Sequence, residues 1–286
     1  MAGELALPLA GAFALGCVVG SFLNVVIHRL PRGESLVAPP SHCPACGRPV
    51  RPWENVPLLS YVFLRGRCAG CRVRIPLRYP AVECATGVLF AAIVWRHGLA
   101  AMTPLWLAFG TALLAAGWID FEHRIIPDEI SLGGLGVGLV GVPLVRLIAG
   151  DPLAAAVLPS LAGALVGAGT LWLVGFLHAR VSVALGRRFE HWPGPGEDPP
   201  RPGSLDYWTW FPGMGFGDVK LLAMIGAFLG PWGVFATILV ASVLGLVLGL
   251  VLGVAARRWN VPYGFGPALA AGALLVMLLP GSLELL

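Results

Sequence analysis

Two short segments keep carboxylates where an apolar chain has little reason to hold them. In PGMGFGDVKLLAMIGAFLG (212–230), Asp218 and Lys220 interrupt a Gly-rich run that otherwise reads as a helix entering a membrane, and Lys220 is the only lysine of the chain. In WIDFEHRIIPDEIS (118–131), Asp120 closes another apolar run. An ionisable group at a membrane boundary is costly and is by default a candidate functional group. Two carboxylates that meet cannot both ionise easily, and they can share a proton near neutral pH. The ionised member can then activate a water while the other protonates the leaving side, which is the chemistry of aspartic proteolysis. Gly213, Gly215 and Gly217 remove side chains just before Asp218, so an extended substrate backbone can come close there. They also permit an irregular entry into the helix, tolerable where it lines a wet or protein-filled cavity.

Other assignments stay open on these residues alone. Asp218 can be a plain helix N-cap, and the glycines can pack helices. A phosphate loop fits poorly, because no strand precedes the glycines and no Gly-Lys-[Ser/Thr] follows. Asp128, beside Pro127 and Glu129, is what a helix N-terminus favours. Lys220 can pair with a carboxylate or snorkel to headgroups.

A second constellation is CPACG (43–47) with CAGCR (68–72). A two-residue gap lets both thiolates of a pair reach one metal from a tight turn. Cys43, Cys46, Cys68 and Cys71 together complete a closed tetrahedral site, which predicts structural Zn2+. Disulfides are the alternative, disfavoured in a reducing compartment. The loop has few aliphatic residues for a core of its own, so metal binding would supply folding free energy. A closed four-thiolate site leaves no open position for catalysis. Cys17 and Cys84 read as small buried hydrophobes.

The elements that position these groups follow from composition. Of 286 residues, 57% are hydrophobic and 12% charged, against about 25% charged in soluble domains. The reading is an all-α polytopic integral membrane protein of about eight transmembrane helices with a small cytoplasmic zinc-binding loop domain. The expected spans are 5–27, 80–96, 102–119, 129–149, 153–177, 216–230, 232–255 and 262–283, with Pro231-Trp232-Gly233 as a turn. The first run carries Glu4 and no small-residue cleavage site, so it reads as a retained span (1–27). Residues 28–79 form the cysteine loop, and 80–286 the membrane core, including a loop at 178–212. Arginines crowd one side of this scheme: nine of them fall between the first two spans. The positive-inside rule then puts both termini outside and the cysteine loop in the cytoplasm. It also puts Asp120 and Asp218 at the same depth near the inner surface. Basic loops there favour membrane lipid as a partner; no nucleic acid is expected.

Taken together these segments resemble the type IV prepilin peptidase family. The resemblance rests on GMGFGDVKLLAMIGAFLG, IDFEHRIIPDEIS, GSFLNVVIHRLPRGES (20–35), the whole cysteine segment 43–83 and VPYGFGPALAAG (261–272). It covers nearly the whole chain in order, except the loop around 180–211. It implies an aspartic endopeptidase of the bacterial inner membrane. Such enzymes cut the basic leader from type IV prepilins or type II secretion pseudopilins after a glycine, at the cytoplasmic face. By motif position, the catalytic pair is Asp120 and Asp218, with Gly215, Gly217 and Lys220 supporting the site. Larger members also methylate the new N-terminal amine with S-adenosylmethionine, an activity associated with the cysteine loop. No Gly-x-Gly-x-x-Gly follows a strand here. Ser21, Asn24, Glu54 and Glu83 are the candidates for orienting cofactor or amine. Capping, a loop salt bridge and a buried polar contact between spans are the competing roles for them. A peptidase with a purely structural zinc loop, a non-catalytic membrane scaffold and a transporter are the rival functions. The lack of an inverted repeat argues against the last.

Overall fold

The computed structural model describes residues 2–187, 200–209, 211, 214–257 and 264–279. Gly213, part of the loop 178–212 and the ends of the expected span 262–283 lie outside the described residues. The described residues form helices α1 (Ala2–Arg29), α2 (Leu59–Phe63), α3 (Arg78–His97), α4 (Thr103–His123), α5 (Asp128–Ile148), α6 (Leu153–Ala184), α7 (Leu205–Thr209), α8 (Phe216–Ala256) and α9 (Gly266–Leu278). Extended structure among them is limited to isolated bridges such as His42 with Pro49 and Arg67 with Arg74. Among the described residues, α1, α4, α5, α6 and α8 are long and apolar enough to cross a membrane.

Three helix boundaries differ from expectation for identifiable reasons. α4 runs through Asp120 to His123, so Asp120 belongs to the helix rather than to the loop after it. α6 continues to Ala184, seven residues past the expected end at 177, because the last turns find packing partners. Phe211 and Ala179 are buried there against Trp172, Phe176, Val183, Met214 and Phe216. Trp208 also stacks on both Trp172 and Phe176. This aromatic packing seats the chain just before the Gly-rich turn that opens α8. Finally, the expected spans six and seven are the two halves of α8, 41 residues in all, which meet at a kink one residue before the expected turn at Pro231. The helix is broken at Gly230, where φ is 66° and ψ −179°. Only glycine takes this backbone conformation cheaply, and Pro231 removes the next amide donor.

The chain forms two compact units, Met1–Ala115 and Ala116–Leu286. In the first, α1 packs on α3 through small residues. Gly16 and Gly20 stand one turn apart on α1. A Cβ at Gly16 would lie 2.8 Å from Gly87 Cα, and one at Gly20 would lie 2.7 Å from Glu83 Cα. In the second unit, α6 packs on α8 in the same way: a Cβ at Gly163 would overlap the Gly226 carbonyl, and one at Gly167 the Leu222 carbonyl. Without a hydrophobic drive inside lipid, such close backbone approach is what holds helices together. Gly163→Leu is therefore expected to cost at least about 1–3 kcal/mol by overpacking. It should appear as a lowered aggregation midpoint in detergent; an unchanged midpoint would refute the close crossing.

Candidate functional site

The four cysteines come together in the first unit. Their sulfurs all lie within 4.8 Å of one another, with Cys43 Sγ 3.8 Å from Cys71 Sγ. Tetrahedral bonds of about 2.3 Å put sulfurs about 3.8 Å apart, so the four are positioned to bind a metal ion. The two knuckles share one backbone plan. The N–H of Gly47 donates to the Cys43 carbonyl at 2.9 Å, and that of Arg72 to the Cys68 carbonyl at 3.1 Å. Both Gly47 and Arg72 take the left-handed conformation, φ 69° and 61°. Only the first knuckle has a glycine at this position; the second imposes the same turn on an arginine. Backbone N–H groups of Cys71 and Gly70 aimed at Cys68 lower its thiol pKa to about 6, which favours the ligating thiolate.

Glu54 serves this loop. Its carboxylate accepts from Arg48 at 2.8 Å and from the Arg51 amide at 3.1 Å. The Arg48 guanidinium holds the Glu54 carboxyl below the usual carboxylate range. Glu83, Ser21 and Asn24 meet where α1 faces α3. Buried Glu83 accepts from the Leu58 amide at 2.8 Å and from the Ser21 hydroxyl. Leu58 is held at φ 59°, an outlier for a bulky residue, so Glu83 helps fasten a strained loop to the helices. Asn24 Nδ2 donates to the Gly20 and Tyr79 carbonyls at 3.2 and 3.1 Å, leaving its buried Oδ1 without a partner. These contacts engage Ser21, Asn24 and Glu83 where α1 meets α3, and Glu54 within the cysteine loop.

In the second unit, Asp120 and Asp218 are both buried, at 5% and 7% exposure. The charge of Asp120 acts on Asp218, so the two carboxyls stand within electrostatic reach. Asp218 is not the N-cap of α8: Gly215 occupies that position, with φ −74° and ψ 143°, and Asp218 lies three residues further on. Asp218 Oδ1 is buried without a hydrogen-bond partner among the described residues. A native fold rarely leaves a carboxylate oxygen in that condition without use. The glycines before it divide their work. A Cβ on Gly215 would meet nothing nearer than 3.8 Å, so the open face beside Asp218 lies there. A Cβ on Gly217 would stand 3.1 Å from Ile126, so that glycine makes room for the chain itself rather than for a substrate.

Two further glycines were not expected as site residues. Gly266, at the start of α9, donates its N–H to Asp120 Oδ2 at 3.0 Å. A Cβ on Gly266 would come within 2.7 Å of that oxygen, and one on Gly264 would overlap the same carboxyl. The pair forms a glycine cradle for Asp120. The repeated glycines in GFGPALAAG were the available cue, although they name no partner. Gly264→Ala is expected to displace Asp120 and to lower the activity that depends on it by about a hundredfold, the penalty of a 1 Å misplacement. Turnover within twofold of wild type would rule the cradle out. Lys220 Nζ meets Asp128 Oδ1 at 2.6 Å, so Asp128, expected only to favour a helix N-terminus, also holds the lysine.

These features define a helical membrane protein with two buried carboxylates within electrostatic reach of each other and four cysteines positioned to bind a metal ion. Residues 14–97 match the family described as the bacterial peptidase A24 N-terminal domain, and residues 107–250 match the type IV leader peptidase family. The cysteines fall in the first match and both aspartates in the second. The chain belongs to the type IV leader peptidase family. It is 34% identical to the prepilin leader peptidase/N-methyltransferase of Neisseria gonorrhoeae, over 95% of this chain and 90% of that protein. It is 36% identical to the protein of that name from Stutzerimonas stutzeri, over 93% and 89%. With that of Pseudomonas aeruginosa it shares 35% identity, over 92% and 88%. No solved structure matches the chain.

Proposed function

We propose that this protein is a membrane aspartic endopeptidase that removes the basic leader from type IV prepilins or pseudopilins, and that it N-methylates the new terminus. The observation that carries the cleavage is the pair of buried carboxyls on separate elements, one cradled by glycines and the other with an unpartnered oxygen. In this reading one carboxylate, Asp120 or Asp218, takes a proton from water as the water oxygen bonds to the scissile carbonyl carbon. The protonated partner gives its proton to the departing nitrogen as the C–N bond breaks. The Gly215 side of Asp218 admits the substrate backbone. The loops rich in arginine support a cytoplasmic site in the inner membrane, with eight passes and both termini outside.

The loop metal is Zn2+ in this proposal, because four thiolates in tetrahedral spacing suit it. It contributes folding rather than catalysis. Membership of a family whose named relatives are N-methyltransferases supports the methyl transfer, for which S-adenosylmethionine supplies the methyl group.

The test is cleavage of a prepilin from the same genome by purified protein, followed by mass spectrometry of the mature N-terminus. Leader loss after glycine with a 14 Da increment is expected of methylation. An intact substrate would sink the peptidase reading. Cleaved but unmethylated product would leave a peptidase whose metal loop is only structural.

A further inference from the structure

We propose that Lys220 and Asp128 are positioning residues whose ion pair ties the segment leaving Asp120 to the helix that carries Asp218, thereby setting the separation of the two carboxyls. The proposal rests on the peptidase reading above and asks what holds its two halves in register.

The connection can be followed residue by residue. α4 ends at His123, and Arg124 turns left-handed at φ 56°. Its amide donates to the carbonyl of Asp120 itself at 2.9 Å. Two residues later, Ile126 occupies the space left by the missing side chain of Gly217, with its Cβ 3.1 Å from where that side chain would begin. Two residues further, Asp128 Oδ1 receives Lys220 Nζ at 2.6 Å. The stretch from Asp120 to Asp128 is thus fixed twice on the single turn 217–220. Those two fixing points, Gly217 and Lys220, flank Asp218 in sequence. The Lys220 ammonium also lies 5.5 Å from the centroid of the Phe216 ring, which steadies its long stem over the same turn.

Two roles for Lys220 compete. A lysine that tuned the dyad would direct its charge at Asp218; here its charge is matched by Asp128 on another helix. A lysine that merely stabilised the fold would be in a drier place. Its side chain is 24% exposed and that of Asp128 is 56% exposed, and ion pairs so open to water add little stability. What the pair does supply is geometry. An Asp120 displaced relative to Asp218 loses the proton relay, and such misplacement lowers turnover steeply.

The experiment uses full-length enzyme in detergent with a prepilin substrate. Lys220→Met and Asp128→Asn should each lower kcat by about ten- to a hundredfold. KM should stay within about twofold, because uniform binding is untouched. Lys220→Arg and Asp128→Glu, which keep the charges, should recover most of the loss. The double variant Asp128→Asn/Lys220→Met should be no slower than the slower single, since both remove one interaction. Wild-type kcat in either neutralised variant, multiplying losses in the double, or losses that follow the melting midpoint would overturn the proposal. Amide hydrogen exchange over residues 124–128 gives a readout independent of catalysis. Faster exchange in Lys220→Met and Asp128→Asn supports the strap, and protection equal to wild type overturns it. If wild-type enzyme left prepilin intact, the peptidase reading would fail, while the exchange data would still decide the strap.

Discussion

Asp218→Asn is expected to abolish leader removal, by a factor of about 10³ or more, without unfolding the protein. The change is nearly isosteric, so the aspartate's volume in the buried site is kept. What it removes is the ability to hold and release a proton, and a positioned acid or base contributes about 10²–10⁴. Losing one member also ends the partner's electrostatic coupling, so the effect should reach the upper part of that range. Stability should not fall, because Asp218 Oδ1 has no hydrogen-bond partner to lose among the described residues and an uncharged amide is easier to bury than a carboxylate. Asp120→Asn should lose activity to the same degree. Its remaining carbonyl oxygen can still accept from Gly266, whose amide lies 3.0 Å from Asp120 Oδ2. Densitometry of prepilin cleavage over a time course, beside the melting midpoint of each variant, checks both. Cleavage within tenfold of wild type in either variant, with the fold intact, would remove that aspartate from the chemistry. A non-catalytic scaffold is the reading that such a result would favour.

Removal of the metal is the second large effect. The cysteine loop has three short helical turns, Leu30–Arg32, Pro52–Asn55 and Leu59–Phe63, without a buried residue among them. Cys43, at 8% exposure, is the one buried residue among the four ligands. With so little apolar burial, the loop is expected to depend on thiolate–metal bonds; structural zinc supplies an apparent free energy of about 10–16 kcal/mol in small metal-folded units at pH 7. Elemental analysis should find about one zinc ion per chain, as a closed four-thiolate site requires. Chelation, or Cys43→Ser, should release it and expose the arginines from Arg48 to Arg74 to trypsin. Equal protease resistance before and after metal removal would refute a metal-held loop. The single Glu54–Arg48 pair, whose arginine side chain is 30% exposed, is one partly screened ion pair and adds little by comparison.

How much of this was legible beforehand depends on where each residue's reason lies. The four cysteines were readable because ligand spacing is local: a two-residue gap is a property of one turn. Asp120 and Asp218 were readable because a carboxylate in an apolar run is expensive wherever it stands, and the arginine distribution suggested a common depth. The break in α8 was foreseen one residue late, at Pro231 rather than Gly230. Proline is visible as a breaker in any context, whereas the positive φ of Gly230 belongs to the folded backbone.

Other roles were settled by residues far away in the chain. Gly217 read as an opening for substrate, and it instead admits Ile126. Lys220 had no identifiable partner, because its carboxylate lies 92 positions earlier. The repeated glycines around Gly264 and Gly266 named no partner, because what they accommodate is a side chain 146 positions from Gly266. Ser21, Asn24 and Glu83 read as candidates for orienting cofactor or amine, with capping and a buried polar contact between spans as competing roles; the folded chain joins Ser21 to Glu83, Asn24 to the Tyr79 carbonyl and Glu83 to the Leu58 amide. By itself the sequence determined the class of protein, the grouping of four cysteines positioned to bind a metal and the two expensive carboxylates, since residue type and spacing suffice where a group is costly or its geometry is local. Only the tertiary structure decided which glycines make room for which side chains and which charge holds Lys220, because those depend on close approach between helices that the chain order does not reveal.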